Sequence, residues 1–324
     1  MKAIRCKAYG PPSSLVLEEV ENLKPKPKEV LVAVKACGLN FPDTLIIQGL
    51  YQFKPELPFT PGSDVAGIVK EVGEGVSHLE VGQEVFGFVA HGALAEEVLV
   101  PANACFPKPP QMDFPTAASF LMAYGTSYHA LKDRGHLAEG ETLLVLGASG
   151  GVGLAAVELG KLMGAKLIAA ASTDDKLALC KEYGADETIN YATQDLKATI
   201  KELTQGKGVD LVYDPVGGEY SEAAFRGIAR SGRFLVVGFA AGEIPKIPLN
   251  LPLLKEASVV GVFWGAFAMQ NSKANMQNTM TLMQWHAEGK LKPHIHAIYD
   301  LADTSKALEE MTNRKVKGKL IVKV

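Results

Sequence analysis

Apolar and polar positions along the chain follow two rhythms, and the change falls near residue 141. Before it, short alternating or apolar runs at Glu29 to Ala36, Val65 to Val72, Glu84 to Phe88 and Ala95 to Val100 predict strands. Gly38, Pro61-Gly62, Gly73, Gly82 and Pro101 punctuate them, a density of turns that suits a compact barrel-like β domain. Asp113 to Leu131 reads as a helix, with Pro115 tolerated in its first turn. From Glu141 the rhythm becomes strand, helix, strand. Strands are predicted at Thr142 to Leu146, Lys166 to Ala171, Glu187 to Asn190, Leu211 to Asp214, Arg233 to Phe239 and Ser258 to Phe263. Helices fit between most of them, at Val152 to Met163, Asp174 to Tyr183, Thr193 to Thr204 and Ser221 to Ala229. That alternation predicts an α/β fold with a doubly wound parallel sheet. After Trp264 come a helix (Ser272 to Glu288), a β stretch (His294 to Tyr299), a helix (Thr304 to Thr312) and a strand (Leu320 to Val324). A parallel sheet set between a β-rich start and a mixed end predicts a discontinuous first domain: 1–122, completed by 264–324, with 123–263 forming the inserted domain.

Composition narrows the class without choosing a function. With 324 residues, 47% apolar and 21% charged, the chain has the make-up of a globular protein able to carry two domains. A net charge of -3 gives no electrostatic reason to expect nucleic acid or an acidic membrane. No apolar run is long enough to span a bilayer, and the start, MKAIRCKAYG, has no apolar secretory segment. Cys6, Cys37, Cys105 and Cys180 form no CxxC pair, so reduced thiols in a cytoplasmic protein are expected.

The densest chemistry lies in TLLVLGASGGVGLAAVELGKLMGAKLIAAAST, residues 142 to 173. A strand runs into a turn built of Gly147, Ala148, Gly150, Gly151, Val152 and Gly153, then a helix and a second strand follow. Tight strand-to-helix turns need conformations that glycine adopts cheaply. Missing side chains also let a pyrophosphate reach the helix N-terminus, where backbone amides and the helix dipole favour negative charge. The strand before and helix after the turn make this a dinucleotide-binding fingerprint of the Rossmann type.

Further segments carry a wider likeness: Gly38-Leu39-Asn40-Phe41-Pro42-Asp43, Gly49-Leu50-Tyr51, Pro61-Gly62-Ser63-Asp64-Val65-Ala66-Gly67, Val72-Gly73, Asp214-Pro215-Val216-Gly217-Gly218 and Gly318-Lys319. In this order they closely resemble the zinc-independent quinone oxidoreductase (ζ-crystallin-like) branch of the medium-chain dehydrogenase/reductase superfamily, over essentially the whole chain. The resemblance implies a GroES-like catalytic domain beside a Rossmann domain, with the active-site cleft between them. It also implies a homodimer formed by edge pairing at Ser258 to Phe263.

Zinc-dependent members hold their metal with a cysteine and a histidine where this chain has Asn40 and Ser63, poor zinc ligands both. His294 and His296, on one candidate strand, lack a third ligand nearby, so no metal is expected. Without zinc, reduction of an acceptor that already draws electrons is favoured over alcohol oxidation. The ribose-binding acid of NAD-selective proteins would fall at Ala171; Ser172, Thr173 and Lys176 follow instead, a set suited to the 2′-phosphate of NADPH, with Asp174 an offsetting charge. By resemblance Tyr191 and Arg314 complete that pocket. Asn40, Tyr51 and Thr126 would surround the nicotinamide and the substrate, with Gly238-Phe239 passing close to the ring. Asn40 and Tyr51 would donate hydrogen bonds to a developing oxyanion, and Thr126 would hold the ring or its carboxamide. Leu45 stands where bacterial quinone reductases of this type often carry a second tyrosine. The expected activity is NADPH-dependent hydride transfer to a quinone or similar acceptor. Reduction of an activated C=C bond (enone, enal or enoyl thioester) and non-catalytic NADPH binding are the alternatives.

Overall fold

The computed structural model describes residues 1–324, and the chain divides into two units, Met1–Met122 with Pro293–Val324 and Ala123–Lys292. The first begins with β1 (Lys2–Arg5), β2 (Val16–Glu19), β3 (Glu29–Leu39), α1 (Phe41–Ile46), β4 (Asp64–Val72), β5 (Glu84–Phe88), β6 (Glu97–Pro101), β7 (Cys105–Pro107) and α2 (Phe114–Ala118). The helix predicted over 113–131 is broken after α2 and resumes as α3 (Leu121–Tyr128), followed by a π-helical turn over His129–Arg134. Local chemistry explains the break. Asp113 caps α2 by accepting the Thr116 N–H at 2.8 Å, and the Ser119 hydroxyl folds back onto the Thr116 carbonyl at 2.7 Å, competing with the helical ladder.

The second unit alternates β8 (Thr142–Leu146), α4 (Gly151–Leu162), β9 (Lys166–Ala171), α5 (Asp174–Glu182), β10 (Glu187–Asn190), α6 (Leu196–Leu203), β11 (Val209–Asp214), α7 (Glu219–Arg226), β12 (Ile228–Val236), α8 (Asn250–Lys255) and β13 (Ser258–Gly261). Its six strands are all parallel and lie in the order β10-β9-β8-β11-β12-β13. That is the doubly wound order of a Rossmann sheet, with the switch point between β8 and β11. Leu144, Leu146, Ile168, Val212, Phe225 and Phe234 sit in its core, as expected for strands covered on both faces.

Two more helices, α9 (Trp264–Gln270) and α10 (Ser272–Ala287), stay with this unit, so the return to the first unit comes at Pro293 instead of the expected residue 264. Aromatic packing holds them there. The Phe267 ring stacks on His129 with centroids 4.0 Å apart, Trp285 meets Tyr128 edge-on at 5.4 Å, and Asn278 accepts from Lys132 at 2.6 Å. β14 (Ile295–Asp300), α11 (Thr304–Thr312) and β15 (Lys319–Lys323) then rejoin the first unit, in a sheet ordered β14-β15-β3-β4-β5-β7 with β6 also paired to β3. No helix is long and apolar enough to cross a membrane.

Candidate active site

Ligands of a doubly wound sheet bind beyond the C-terminal ends of the strands at the switch point, here β8 and β11. At that place the chain leaves β8 through Gly147, whose φ of +57° is a left-handed conformation. A Cβ on Gly153 would lie 2.3 Å from the Gly147 carbonyl oxygen, so only glycine lets α4 start this close to the strand. Gly150 is the N-cap and no side chain caps α4. The first-turn amides of a twelve-residue helix are therefore available to an anion, and a pyrophosphate fits them. Two of the residues expected in the cradle also serve its frame. The Ala148 N–H bonds the Ala170 carbonyl at 3.1 Å, and the Val152 carbonyl accepts the Ser127 hydroxyl at 2.8 Å.

The end of β9 carries the second group. Lys176 Nζ lies 3.4 Å from the Ser172 hydroxyl, one helical turn back. Tyr191 is brought alongside, its N–H bonded to the Ala171 carbonyl at 3.1 Å and its ring 4.3 Å from that of Tyr220. Asp174, expected to offset the positive potential, accepts a hydrogen bond from Asn190 Nδ2 at 2.7 Å. The Thr173 hydroxyl donates to the Asp175 carboxylate. Ser172 and Lys176 thus stand together as a hydroxyl–ammonium pair that suits a phosphate. Arg314 belongs to the first unit, where it follows α11 with a φ of +57°.

Across the switch point, the buried Asp214 carboxylate ends β11 and accepts the N–H groups of Val216 (2.8 Å) and Gly217 (2.9 Å) and the Ser221 hydroxyl (2.5 Å). The turn it shapes holds the segment after β12: the Gly238 N–H bonds the Asp214 carbonyl at 3.2 Å and the Ala241 N–H that of Val216 at 2.7 Å. Gly238 and Phe239 are therefore brought to the same end of the sheet as the glycine turn. Thr126 is half-buried on α3. Its neighbours fix that helix against α4, Ser127 through Val152 and Tyr124 by donating to the Glu158 carboxylate at 2.5 Å.

The first unit holds a different construction. Asn40, Asp43, Asp64 and Lys319 are all buried. Lys319 Nζ donates to Asn40 Oδ1 at 2.5 Å and lies 3.3 Å from Asp64 Oδ2. Asn40 Nδ2 donates to the Gly38 carbonyl (3.2 Å) and to Asp64 Oδ2 (3.1 Å). Asp43 Oδ2 accepts the Asn40 backbone N–H at 2.7 Å, and Asp64 Oδ1 that of Met122 at 3.2 Å. Burial drives the Asp43 carboxyl up to about 7, against the lowering effect of the Asn40 N–H and Lys319; burial also raises Asp64. Both amide hydrogens of Asn40 are engaged inside the unit, by the Gly38 carbonyl and Asp64. Tyr51 keeps its donor: it is half-exposed, and burial followed by the Asp43 charge raises its pKa, so the phenol stays protonated at neutral pH.

Sequence reasoning missed the roles of Lys319, Asp43 and Asp64, quoted only as parts of motifs. The available signal was polarity in the wrong place. Asp64 and Lys319 each stand directly before an apolar run, Val65 to Val69 and Leu320 to Val322, and such charges are seldom fully buried unless paired. His296 makes a 3.2 Å contact with the Glu310 carboxylate, and His294 lies just outside β14.

One unit with a glycine-turn Rossmann sheet and one β-rich unit with a buried polar cluster define a dinucleotide-dependent dehydrogenase or reductase of the medium-chain type. Family models agree: "Alcohol dehydrogenase GroES-like domain" matches residues 26–110 and "Zinc-binding dehydrogenase" matches 151–285. A quinone oxidoreductase-like protein 2 homolog from Nematostella vectensis is 39% identical over 99% of this chain and 88% of that protein. The quinone oxidoreductase of Rattus norvegicus is 35% identical over 99% of this chain and 97% of its own. A crystal structure of Escherichia coli quinone oxidoreductase complexed with NADPH superposes with a TM-score of 0.95 at 30% identity, covering 100% of both chains. The chain belongs to the quinone oxidoreductase family of the medium-chain dehydrogenase/reductase superfamily.

Proposed function

We propose that the protein is an NADPH-dependent oxidoreductase that passes a hydride to a quinone or similar electron-poor acceptor without zinc. The observation that carries the cofactor choice is the end of β9, where Ser172 pairs with Lys176 while Asp174 is tied to Asn190. NADPH supplies the hydride. The amides opening α4 hold its pyrophosphate, Ser172, Thr173, Lys176 and Arg314 its 2′-phosphate, and Tyr191 lies against the adenosine end. Gly238-Phe239 and Thr126 hold the nicotinamide and its carboxamide. Tyr51 donates to the acceptor oxygen as charge develops there, the step at which a fixed donor gives most. The proton that completes reduction comes from solvent.

The donor set supports the absence of zinc. An amide and a hydroxyl stand at Asn40 and Ser63, and the Lys319 ammonium already occupies the electronegative side of the cluster. Four buried, unpaired cysteines fit a reducing, cytoplasmic setting. A homodimer is expected through β13, the edge strand of the sheet, beside which Leu249, Leu253, Leu254, Val259 and Phe263 are exposed. The half-buried Leu45 and exposed Leu50 near Tyr51 favour a second reading, reduction of an activated alkene in an apolar pocket.

The test is NADPH consumption, with NADH in parallel, against 1,4-benzoquinone, a small enone and an enoyl thioester. Quinone turnover that falls roughly tenfold or more in Tyr51→Phe, with NADPH affinity intact, is the expected result. Turnover with the enone or thioester alone selects the second reading. No acceptor-dependent oxidation at all makes the chain a cofactor-binding protein and overturns both.

A further inference from the structure

The buried cluster of the first unit has a property that its members lack singly: its partners dictate which way the Asn40 amide points. A lysine ammonium can only donate, so the atom facing Lys319 at 2.5 Å must be Oδ1. A backbone carbonyl and a carboxylate can only accept, so the atom facing Gly38 and Asp64 must be Nδ2. The cation that sets this polarity comes from the far end of the chain. β15 pairs antiparallel with β3, matching Leu320 to Leu39, so Lys319 arrives beside Asn40. Gly318 makes the entry: its φ is +72°, and a Cβ there would lie 2.3 Å from the His294 carbonyl oxygen. The Lys319 N–H bonds that same carbonyl at 2.9 Å, pinning the start of the strand.

We propose that Lys319 is a positioning residue for hydride transfer: it locks the Asn40 side chain with Oδ1 held by the ammonium and both N–H bonds turned inward. Asn40 then offers the site the remaining lone pair of Oδ1, an acceptor, and leaves oxyanion donation to Tyr51. Without Lys319 the amide is held by its N–H bonds alone, and Oδ1 loses the donor that fixes the carbonyl end. The ammonium also compensates the buried Asp64 carboxylate, so the same residue orients the amide and neutralises the charge that shares it. This inference rests on the reading that Asn40 borders the reacting end.

A double-mutant cycle on the full-length protein tests it, with kcat, KM for the quinone and NADPH affinity measured for Asn40→Ala, Lys319→Met and the pair. If Lys319 acts through Asn40, Lys319→Met lowers kcat about tenfold in the native background and less than about twofold when Asn40 is already alanine. NADPH affinity stays within about twofold throughout, since the glycine turn is untouched. Equal losses in both backgrounds would mean an independent role and overturn the proposal. So would a loss in Lys319→Met with normal turnover in Asn40→Ala. Normal turnover in Lys319→Met with a slow Asn40→Ala defeats the Lys319 assignment and leaves the site reading intact. Normal turnover in both defeats the site reading too. Should Lys319→Met fail to fold, the cycle is run in Asp64→Asn, where the Gly38 carbonyl still fixes Nδ2, removing the ammonium strands one buried carboxylate fewer, and the same outcomes apply.

Discussion

The two units build their polar sites by opposite means. At the end of β8 the second unit uses backbone: glycines, an uncapped helix and a turn held by main-chain hydrogen bonds. The first unit uses side chains, with two carboxylates, an amide and an ammonium buried together. A backbone site is cheap to keep, because its donors exist in every residue and cost only conformational freedom. A buried charged cluster is costly unless every member is matched, and removing one member exposes the desolvation cost of the rest. The first kind of site tolerates changes in charge and fails when a side chain is added. The second tolerates little change in charge at all.

The sharpest test of that contrast is pH. Asp43 sits among Asp64, Lys319, Cys37, Tyr51 and the backbone N–H groups of Asn40 and Gly62, and its folded pKa is about 7 against an ordinary 3.8. The folded protein therefore holds a proton that the unfolded chain has released across that window, so stability is fullest below about 4, falls as pH rises and levels above about 7. Asp64, raised in the same direction, adds to the slope. Denaturant unfolding from pH 4 to 8 should show a decline of a few kcal/mol that flattens in Asp43→Asn. An unchanged slope in that variant would remove Asp43 from the cluster's electrostatics. No comparable dependence is expected of the glycine turn, which has no titrating side chain.

Gly153→Val attacks the other site and is next in size. Its Cβ would fall 2.3 Å from the Gly147 oxygen and 2.9 Å from the Ala148 Cα, both backbone atoms that cannot swing aside. NADPH affinity should drop by about a hundredfold or more, because the turn must open to admit the branched side chain. Fluorescence titration of the cofactor measures this. Affinity within a few-fold of native would mean that the turn does not hold the pyrophosphate.

The same contrast explains what could be read before the structure. β8, α4 and β9 and the turn between them lie within 142–171, and local patterns reveal local structure. β5, β8, β9, β10 and α11 keep the predicted bounds, and β8 shows why: its apolar run lies between Glu141 and Gly147. The α2–α3 break was hidden because Ser119 acts through its own side chain, not through a strong breaker. Placement of α9 and α10 was hidden for another reason: Phe267 on His129 and Trp285 on Tyr128 are contacts across more than a hundred residues, with no periodic trace. Asn40 and Lys319 are 279 positions apart. Motif reasoning found both residues, but only the paired strands β3 and β15 give the amide its direction.

The smallest effect expected lies at the border between the two styles, where the backbone turn is supplemented by one charged side chain. Lys176 Nζ is within 3.4 Å of the Ser172 hydroxyl, half-buried in the first turn of α5, where solvent screens it in part. A cation that meets a phosphate at such a partly screened position contributes modestly, so Lys176→Ala should weaken NADPH binding by about tenfold and leave NADH binding nearly unchanged. The loss should shrink further as salt is raised from about 0.05 to 0.5 M, because the phosphate contact is exposed to counterions. An equal loss for both cofactors would show that Lys176 supports the fold of α5 and not the 2′-phosphate. A loss for NADPH alone would make selectivity the work of this half-buried side chain, with binding itself left to the backbone of α4.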